Sequence, residues 1–175
     1  MNKRLMSRAR RIRLAIFDVD GVLTDGTIHL SATGEETKAF NILDGLGFKM
    51  LADSGVQLAL LSGRKSDIVR LRARETGVAH VLQGIGDKLA AYEKLLRKLG
   101  LTNAQCSFMG DDLPDIPVLR RCGLALSVPN AAKVVREHAH HVTEKAGGRG
   151  AAREACELLM RAQGTLDAQM AVYLQ

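Results

Sequence analysis

The sequence predicts an α/β fold, a doubly wound parallel sheet in one domain with a small β-hairpin insertion. Three observations carry this. Short apolar runs alternate with amphipathic helical stretches along the chain, the order expected of strands joined by crossover helices. A length of 175 residues suits one buried core and is short for two. After the first apolar run, a segment of alternating polarity around Ser31-Ala32-Thr33-Gly34 breaks the rhythm and resembles a hairpin.

Taken in order, the chain opens with Lys3, Arg4, Arg8, Arg10, Arg11 and Arg13 ahead of any apolar run. Residues 1–12 are therefore expected to be a solvated, mobile basic arm, and the domain to occupy 13–163. Leu14-Ala15-Ile16-Phe17 reads as a buried strand ending at Asp18, followed by the hairpin insertion at about 27–41. Further strands are expected at 56–61, 79–82, 106–109 and 124–128, with a weaker one at 141–143. Helical patterns lie near 45–53, 66–76, 88–99, 114–121, 131–138 and 149–162. In 88–99 the period is clear: Leu89, Tyr92, Leu95, Leu96 and Leu99 share a face, with Asp87 as N-cap and Gly100 as the stop. Residues 164–175 form a C-terminal tail.

Composition narrows the class. With 46% hydrophobic and 25% charged residues the chain reads as a soluble globular protein. Four Phe, two Tyr and no Trp argue against a base-stacking nucleic-acid module. Cys106, Cys122 and Cys156 are odd in number and lack Cys-x-x-Cys spacing, so they read as buried thiols rather than a disulfide framework or zinc site. No apolar run approaches the roughly 18 residues of a membrane span, and the start lacks a signal peptide's apolar segment. A cytoplasmic location follows as the expectation, with neither membrane nor nucleic acid as partner. The formal charge of +6 favours encounters with small anions.

Chemistry is expected beyond the carboxyl ends of the strands. There the chain places Asp18-Val19-Asp20-Gly21-Val22-Leu23-Thr24-Asp25-Gly26, with two carboxylates on alternate residues leaving a strand. Crowded carboxylates need a compensating cation, and an all-oxygen set suits Mg²⁺. An EF-hand is excluded, since the positions for its glycine and its terminal Glu hold Leu23 and His29. Ser62-Gly63-Arg64 follows the second predicted strand of the sheet, with a hydroxyl and turn amides suited to phosphoryl oxygens. Lys88 opens a helix and offers an ammonium against phosphate charge. Gly110-Asp111-Asp112-Leu113-Pro114-Asp115 supplies a second acidic loop, so a cation site can be assembled from two strand ends. Each motif alone is weak; their conjunction is specific.

In this order the motifs resemble the haloacid dehalogenase superfamily of phosphohydrolases, over roughly residues 12–166. Phe40-Asn41, Asp44-Gly45, Gly63-Arg64, Gln83-Gly84 and the run from Ala146 to Ala151 resemble its subgroup acting on 3-deoxy-D-manno-octulosonate 8-phosphate, in lipopolysaccharide precursor biosynthesis. The resemblance implies a Rossmann-like fold, Asp18 as nucleophile and Asp20 as general acid and base. It implies Mg²⁺ on the Asp18 carboxylate, the Asp20 carbonyl and Asp111, with phosphate held by Ser62 and Lys88. Asp112 and Asp115 would order the loop and orient Lys88 or the metal ligands. Asp20, Asn41, Asp44, Gly45, Lys49, Arg64, Arg72 and Lys88 would lie near the substrate, a small anionic sugar phosphate. Leu43 and Leu46 depart from the subgroup's Arg and aromatic residue, which leaves another sugar-acid phosphate, such as a nonulosonate 9-phosphate, as an alternative. A phosphoryl-accepting signalling domain is the alternative from another class. The short intervals from Asp18 to Ser62 and from Ser62 to Lys88 leave no room for a large cap domain. A homotetramer whose neighbouring subunit roofs the site, as in the family, is therefore expected.

Overall fold

A computed structural model of the chain describes residues 2–174. The elements are α1 (Lys3–Ala9), β1 (Leu14–Phe17), β2 (His29–Leu30), β3 (Glu36–Thr37), α2 (Ile42–Asp53), β4 (Gln57–Leu61), α3 (Asp67–Glu75) and β5 (His80–Leu82). They continue as α4 (Lys88–Leu99), β6 (Cys106–Gly110), α5 (Ile116–Leu119), β7 (Leu124–Ser127), α6 (Lys133–Glu137), β8 (His141–Val142), α7 (Ala151–Gln163) and α8 (Leu166–Ala171).

Six strands form one sheet in the order β5-β4-β1-β6-β7-β8, every pair parallel. Helices cover both faces, which is why β1, β6 and β7 are buried along their whole length without polar–apolar alternation, only Ser107 and Ser127 among them being polar. The chain runs outward from β1 to β4 and β5, then returns to β6 on the other side of β1. Connections thus leave in opposite directions between β1 and β6, opening a crevice at their carboxyl ends. Phe17 pairs with Leu60 on one side and Met109 on the other, so Asp18, Ser62 and Asp111 emerge beside one another. No helix among the described residues is long and apolar enough to cross a membrane.

The insertion is the antiparallel pair β2–β3, with His29 opposite Thr37 and Leu30 opposite Glu36. Gly34 turns it at φ +83°, a conformation that a side chain would strain. Helix α2 starts at Ile42, earlier than its apolar pattern suggests, because Asn41 caps it by accepting from the Leu43 amide at 2.9 Å. The pattern expected over 114–121 resolves into a 3₁₀ turn, Leu113–Asp115, followed by the four residues of α5.

The expectation of a mobile basic arm is corrected. Residues 3–9 are helical, and Leu5, Ala9 and Ile12 are buried in the core with α1 packed on α7. The basic residues masked this: Leu5 and Ala9 share one helical face, with Ile12 just beyond the helix, but the charges between them dominate the composition. The expected tail likewise contains α8, anchored by buried Leu166. Met1 and Gln175, the ends of those two segments, lie outside the described residues. Leu5→Ala is expected to destabilise the protein by about 2 kcal/mol, the lower end for a truncated core leucine, in urea denaturation. A solvated arm would leave the midpoint unchanged.

Candidate active site

The crevice is built around one ammonium. Lys88, the first residue of α4, is buried, and its Nζ lies 2.7 Å from Asp18 Oδ2 and 2.6 Å from Asp115 Oδ1. Asp87 fixes the start of α4 by accepting from the Ala90 amide at 3.0 Å, so the side chain that follows the cap enters the crevice. Asp18 leaves β1 with its amide still bonded to Met109 O at 2.9 Å, and its Oδ1 accepts from Val19 N at 2.7 Å. Asp115, fully buried, has its other oxygen on the Asp111 and Asp112 amides, at 2.9 and 3.2 Å. It therefore ties the β6 loop to Lys88 with every acceptor engaged.

Carboxylate oxygens of Asp18, Asp111 and Asp115 lie within 4.8 Å of one another. Three carboxylates face one ammonium, an unbalanced arrangement. Burial, then the charge of Asp115, holds the carboxyls of Asp18 and Asp111 up at about 7, against the lowering pull of Lys88. The paired carboxylates act the other way on Lys88, overcoming its desolvation and raising its pKa. Asp111 Oδ1 is buried without any hydrogen-bond donor. A buried, unpartnered carboxylate oxygen in an all-oxygen cluster with excess negative charge fits a hard divalent cation such as Mg²⁺. Asp115 already accepts from three donors and Asp18 from two, while Asp111 Oδ1 accepts from none, so Asp18 and Asp111 have the greater capacity for such an ion. Asp112 is exposed and its carboxylate accepts from the Leu113 amide at 2.8 Å, within its own turn.

Main-chain packing explains the glycines of the acidic loop. Gly21 takes φ +90°, and a Cβ there would fall 1.9 Å from Asp111 Oδ2, so only glycine lets the two loops meet. Asn130 bridges behind them, donating to Gly21 O at 3.2 Å and accepting from Gly147 N at 2.8 Å. A Cβ on Gly147 would sit 1.8 Å from Gly21 O. The run from Gly147 is thereby laid directly on the catalytic loop.

Asp20 stands apart from the carboxylate cluster. Its side chain pairs with Lys38 of the hairpin and approaches Arg64, with Nε 3.9 Å from Oδ2. The side chain of Lys38 is 2% exposed and also pairs with Glu36 at 3.3 Å, which in turn receives Arg64 at 2.6 Å. Lys38, Glu36 and Asn130 carry no motif in the sequence. The signal was the hairpin's proximity to the acidic loop, which places a lysine beside Asp20 only once β2 and β3 pair. Ser62 is buried at the end of β4, and its Oγ accepts from Arg64 N at 3.2 Å.

The remaining residues expected at the substrate form a second group on α2 and α3. Arg72 donates to Asn41 O at 3.1 Å, pairs with Glu75 at 2.8 Å and lies over the Phe40 ring at 6.0 Å. Gly45 makes room for that guanidinium, since a Cβ would meet it at 2.6 Å. Lys49 and Arg72 border a cleft of about 590 Å³ between the two helices. Asn41 links this group to the glycine run packed on the acidic loop, donating weakly to Gly148 O at 3.4 Å. Asp44 sits where α2 meets α7. It is buried, and its Oδ1 accepts from the Arg153 amide at 2.8 Å in the first turn of α7, while its Oδ2 is buried without a hydrogen-bond partner. Burial holds its carboxyl up at about 6, opposed by the Arg153 amide and the charge of Arg72.

Comparison with known proteins agrees with this geometry. The family of haloacid dehalogenase-like hydrolases matches residues 27–154. The 3-deoxy-D-manno-octulosonate 8-phosphate phosphatase of Salmonella typhi is 45% identical over 163 residues, covering 93% of this chain and 87% of that protein. The probable yrbi family phosphatase of Pseudomonas syringae pv. phaseolica 1448a superposes with a TM-score of 0.98 at 54% identity, covering 99% of each chain. A 3-deoxy-D-manno-octulosonate 8-phosphate phosphatase from Moraxella catarrhalis, solved with magnesium ion, phosphate ion and KDO, superposes with a TM-score of 0.97 at 43% identity, again over 99% of each chain. On both sequence and backbone, the chain belongs to the haloacid dehalogenase-like hydrolases, among the 3-deoxy-D-manno-octulosonate 8-phosphate phosphatases.

Proposed function

We propose that this phosphatase hydrolyses 3-deoxy-D-manno-octulosonate 8-phosphate to 3-deoxy-D-manno-octulosonate and inorganic phosphate. The observation that carries the reading is the buried Asp18–Lys88–Asp115 contact beside the unpartnered Asp111 oxygen. An Asp18 oxygen attacks phosphorus, and the bond from phosphorus to the sugar oxygen breaks. Asp20 gives its proton to the departing alkoxide. Asp20 then takes a proton from the water that attacks the aspartyl phosphate, returning Asp18 as a carboxylate and releasing phosphate. Lys88 and Ser62 grip the transferred oxygens, while Lys38 and Arg64 hold the Asp20 carboxylate on the leaving-group side. Mg²⁺, held by the Asp18 and Asp111 carboxylates and the Asp20 carbonyl, would screen nucleophile from phosphate and stabilise transition-state charge. Asn41, Gly45, Lys49, Arg64 and Arg72 are assigned to the sugar acid, with the arginine forks suited to its carboxylate. Asp44 supports them by fixing the junction of α2 with α7. A signalling role is disfavoured, because Asp20 is built in as an acid/base that clears the phosphoryl group.

The roof is proposed to come from a neighbouring subunit in a homotetramer. Ile28 and Leu30 on the hairpin, with Ile42 and Leu43 at the start of α2, are exposed by 47, 65, 80 and 52%. Such apolar surface beside the crevice fits contact with another copy. Sedimentation at working concentration is expected to show a tetramer, and a fully active monomer would exclude the idea.

Phosphate release from a panel of sugar-acid phosphates is expected to favour the 8-phosphate, and equal turnover of a nonulosonate 9-phosphate would defeat that specificity. Asp18→Asn and Asp20→Asn are each expected to lose at least ~10³-fold in kcat, by analogy with removal of a nucleophile or acid/base. Lys38→Met is expected to lower kcat about tenfold with KM little changed, and Lys38→Arg to recover part of it.

The raised carboxyls also set a pH dependence for the metal. Groups held near 7 are protonated below that pH, so a cation must displace a proton there and none well above it. Mg²⁺ affinity is expected to fall about tenfold per unit below neutrality for one displaced proton, and to level off above about pH 8. Calorimetry in buffers of different protonation enthalpy reads this directly; affinity independent of pH would contradict it.

A further inference from the structure

The first thirteen residues hold six basic side chains and no acidic one, so they account for the entire formal charge of +6. Folding does not disperse these charges. Leu5, Ala9 and Ile12 are buried, Arg10 Nε donates to Ala162 O at 3.0 Å, and an Arg8 guanidinium nitrogen donates to Gly123 O at 2.7 Å. Arg4 and Arg8 lie four residues apart on one face of α1 with Ser7 beside them, and Arg11 follows in the turn after the helix. Together with Ala104 and Gly123 they line a cleft of about 240 Å³. Ala104 precedes β6 and Gly123 precedes β7, so the cleft lies at the amino ends of the strands, across the sheet from the active site.

Among the described residues, every ion pair lies elsewhere, and none of these arginines has a carboxylate within 4.0 Å. Their field is felt nearby: His140 has its pKa lowered by burial first and then by Arg8 and Arg4, while its Nδ1 accepts from the Ala125 amide at 2.9 Å. Arg8 is fixed by its bond to Gly123 O; neighbouring guanidinium groups repel one another, and an anion that joins them removes that repulsion. Guanidinium forks and a hydroxyl match phosphoryl oxygens. The cleft is small, concave and without an aromatic side chain, which suits a single phosphoryl or diphosphoryl group and not a nucleic-acid strand needing an extended stacking track.

We propose that the cleft of Arg4, Ser7, Arg8 and Arg11 is a second anion site, which binds the phosphoryl group of a small phosphate or of a lipid headgroup. The site is independent of the phosphatase chemistry. Its probe is inorganic pyrophosphate, titrated into the full chain in chelator at constant ionic strength and followed at the Gly123 and Ala104 amides and the His140 ring by NMR. Saturable shifts are expected at these three places. In the double variant Arg4→Ser, Arg11→Ser, which leaves the bonded Arg8 in place, the affinity should drop at least ~10-fold, with phosphate-ester turnover unchanged. Vesicles of phosphatidic acid that retain the parent protein but not the variant would make a headgroup the source; no retention would leave a free small phosphate. Absent shifts, shifts that grow linearly without saturation, or shifts equal in the variant would overturn the site. Displacement of pyrophosphate by a DNA duplex at lower concentration would overturn the small-anion assignment.

Discussion

Three elements far apart in the chain meet at one buried ammonium. Lys88 joins the end of β1 through Asp18 to the β6 loop through Asp115, and it reaches both from the first turn of α4. Removing one member of such a group leaves an uncompensated charge in the interior, typically at a cost of about 3–5 kcal/mol. The contact thus serves stability and chemistry together. It also leaves a deficit, because one positive charge faces three carboxylates. That deficit makes the crevice receptive to a divalent cation, and it adds to burial in holding two carboxyls up at about 7.

The sheet order supplies the rest of the placement. Two strands with crossovers in opposite directions leave a crevice that no helix can fill, and both acidic loops open into it. Backbone fixes their separation: Gly21 admits Asp111, and Asn130 holds Gly21 to Gly147. Donors and acceptors are thereby set in place before a ligand arrives, the condition under which fixed dipoles and charges contribute most to catalysis.

Much of this was legible in the sequence, where chemistry follows local order. Asp18, Ser62, Lys88 and Asp111 each stand at the end of a strand or the start of a helix, and alternation of apolar runs was enough to locate those boundaries. Lys38 was not legible, since its partner is eighteen residues away and the pairing of β2 with β3 decides where it points. The basic segment misled for a different reason: Leu5 and Ala9 on one helical face, with Ile12 just beyond the helix, bury it, while composition registers only the arginines around them. The bond from the Arg153 amide to Asp44 was not legible either, since it joins residues 109 positions apart in the chain.

The bridge from Gly21 through Asn130 to Gly147 has a consequence for how this protein can diversify. Side chains are sterically barred where the two glycine-bearing loops touch, so that region is closed to change. The exposed side chains of Leu30, Ile42 and Leu43, on the hairpin and at the start of α2, meet no such bar within the chain. Drift in substrate preference therefore has one open margin, at the rim, while the reacting centre stays frozen beneath it.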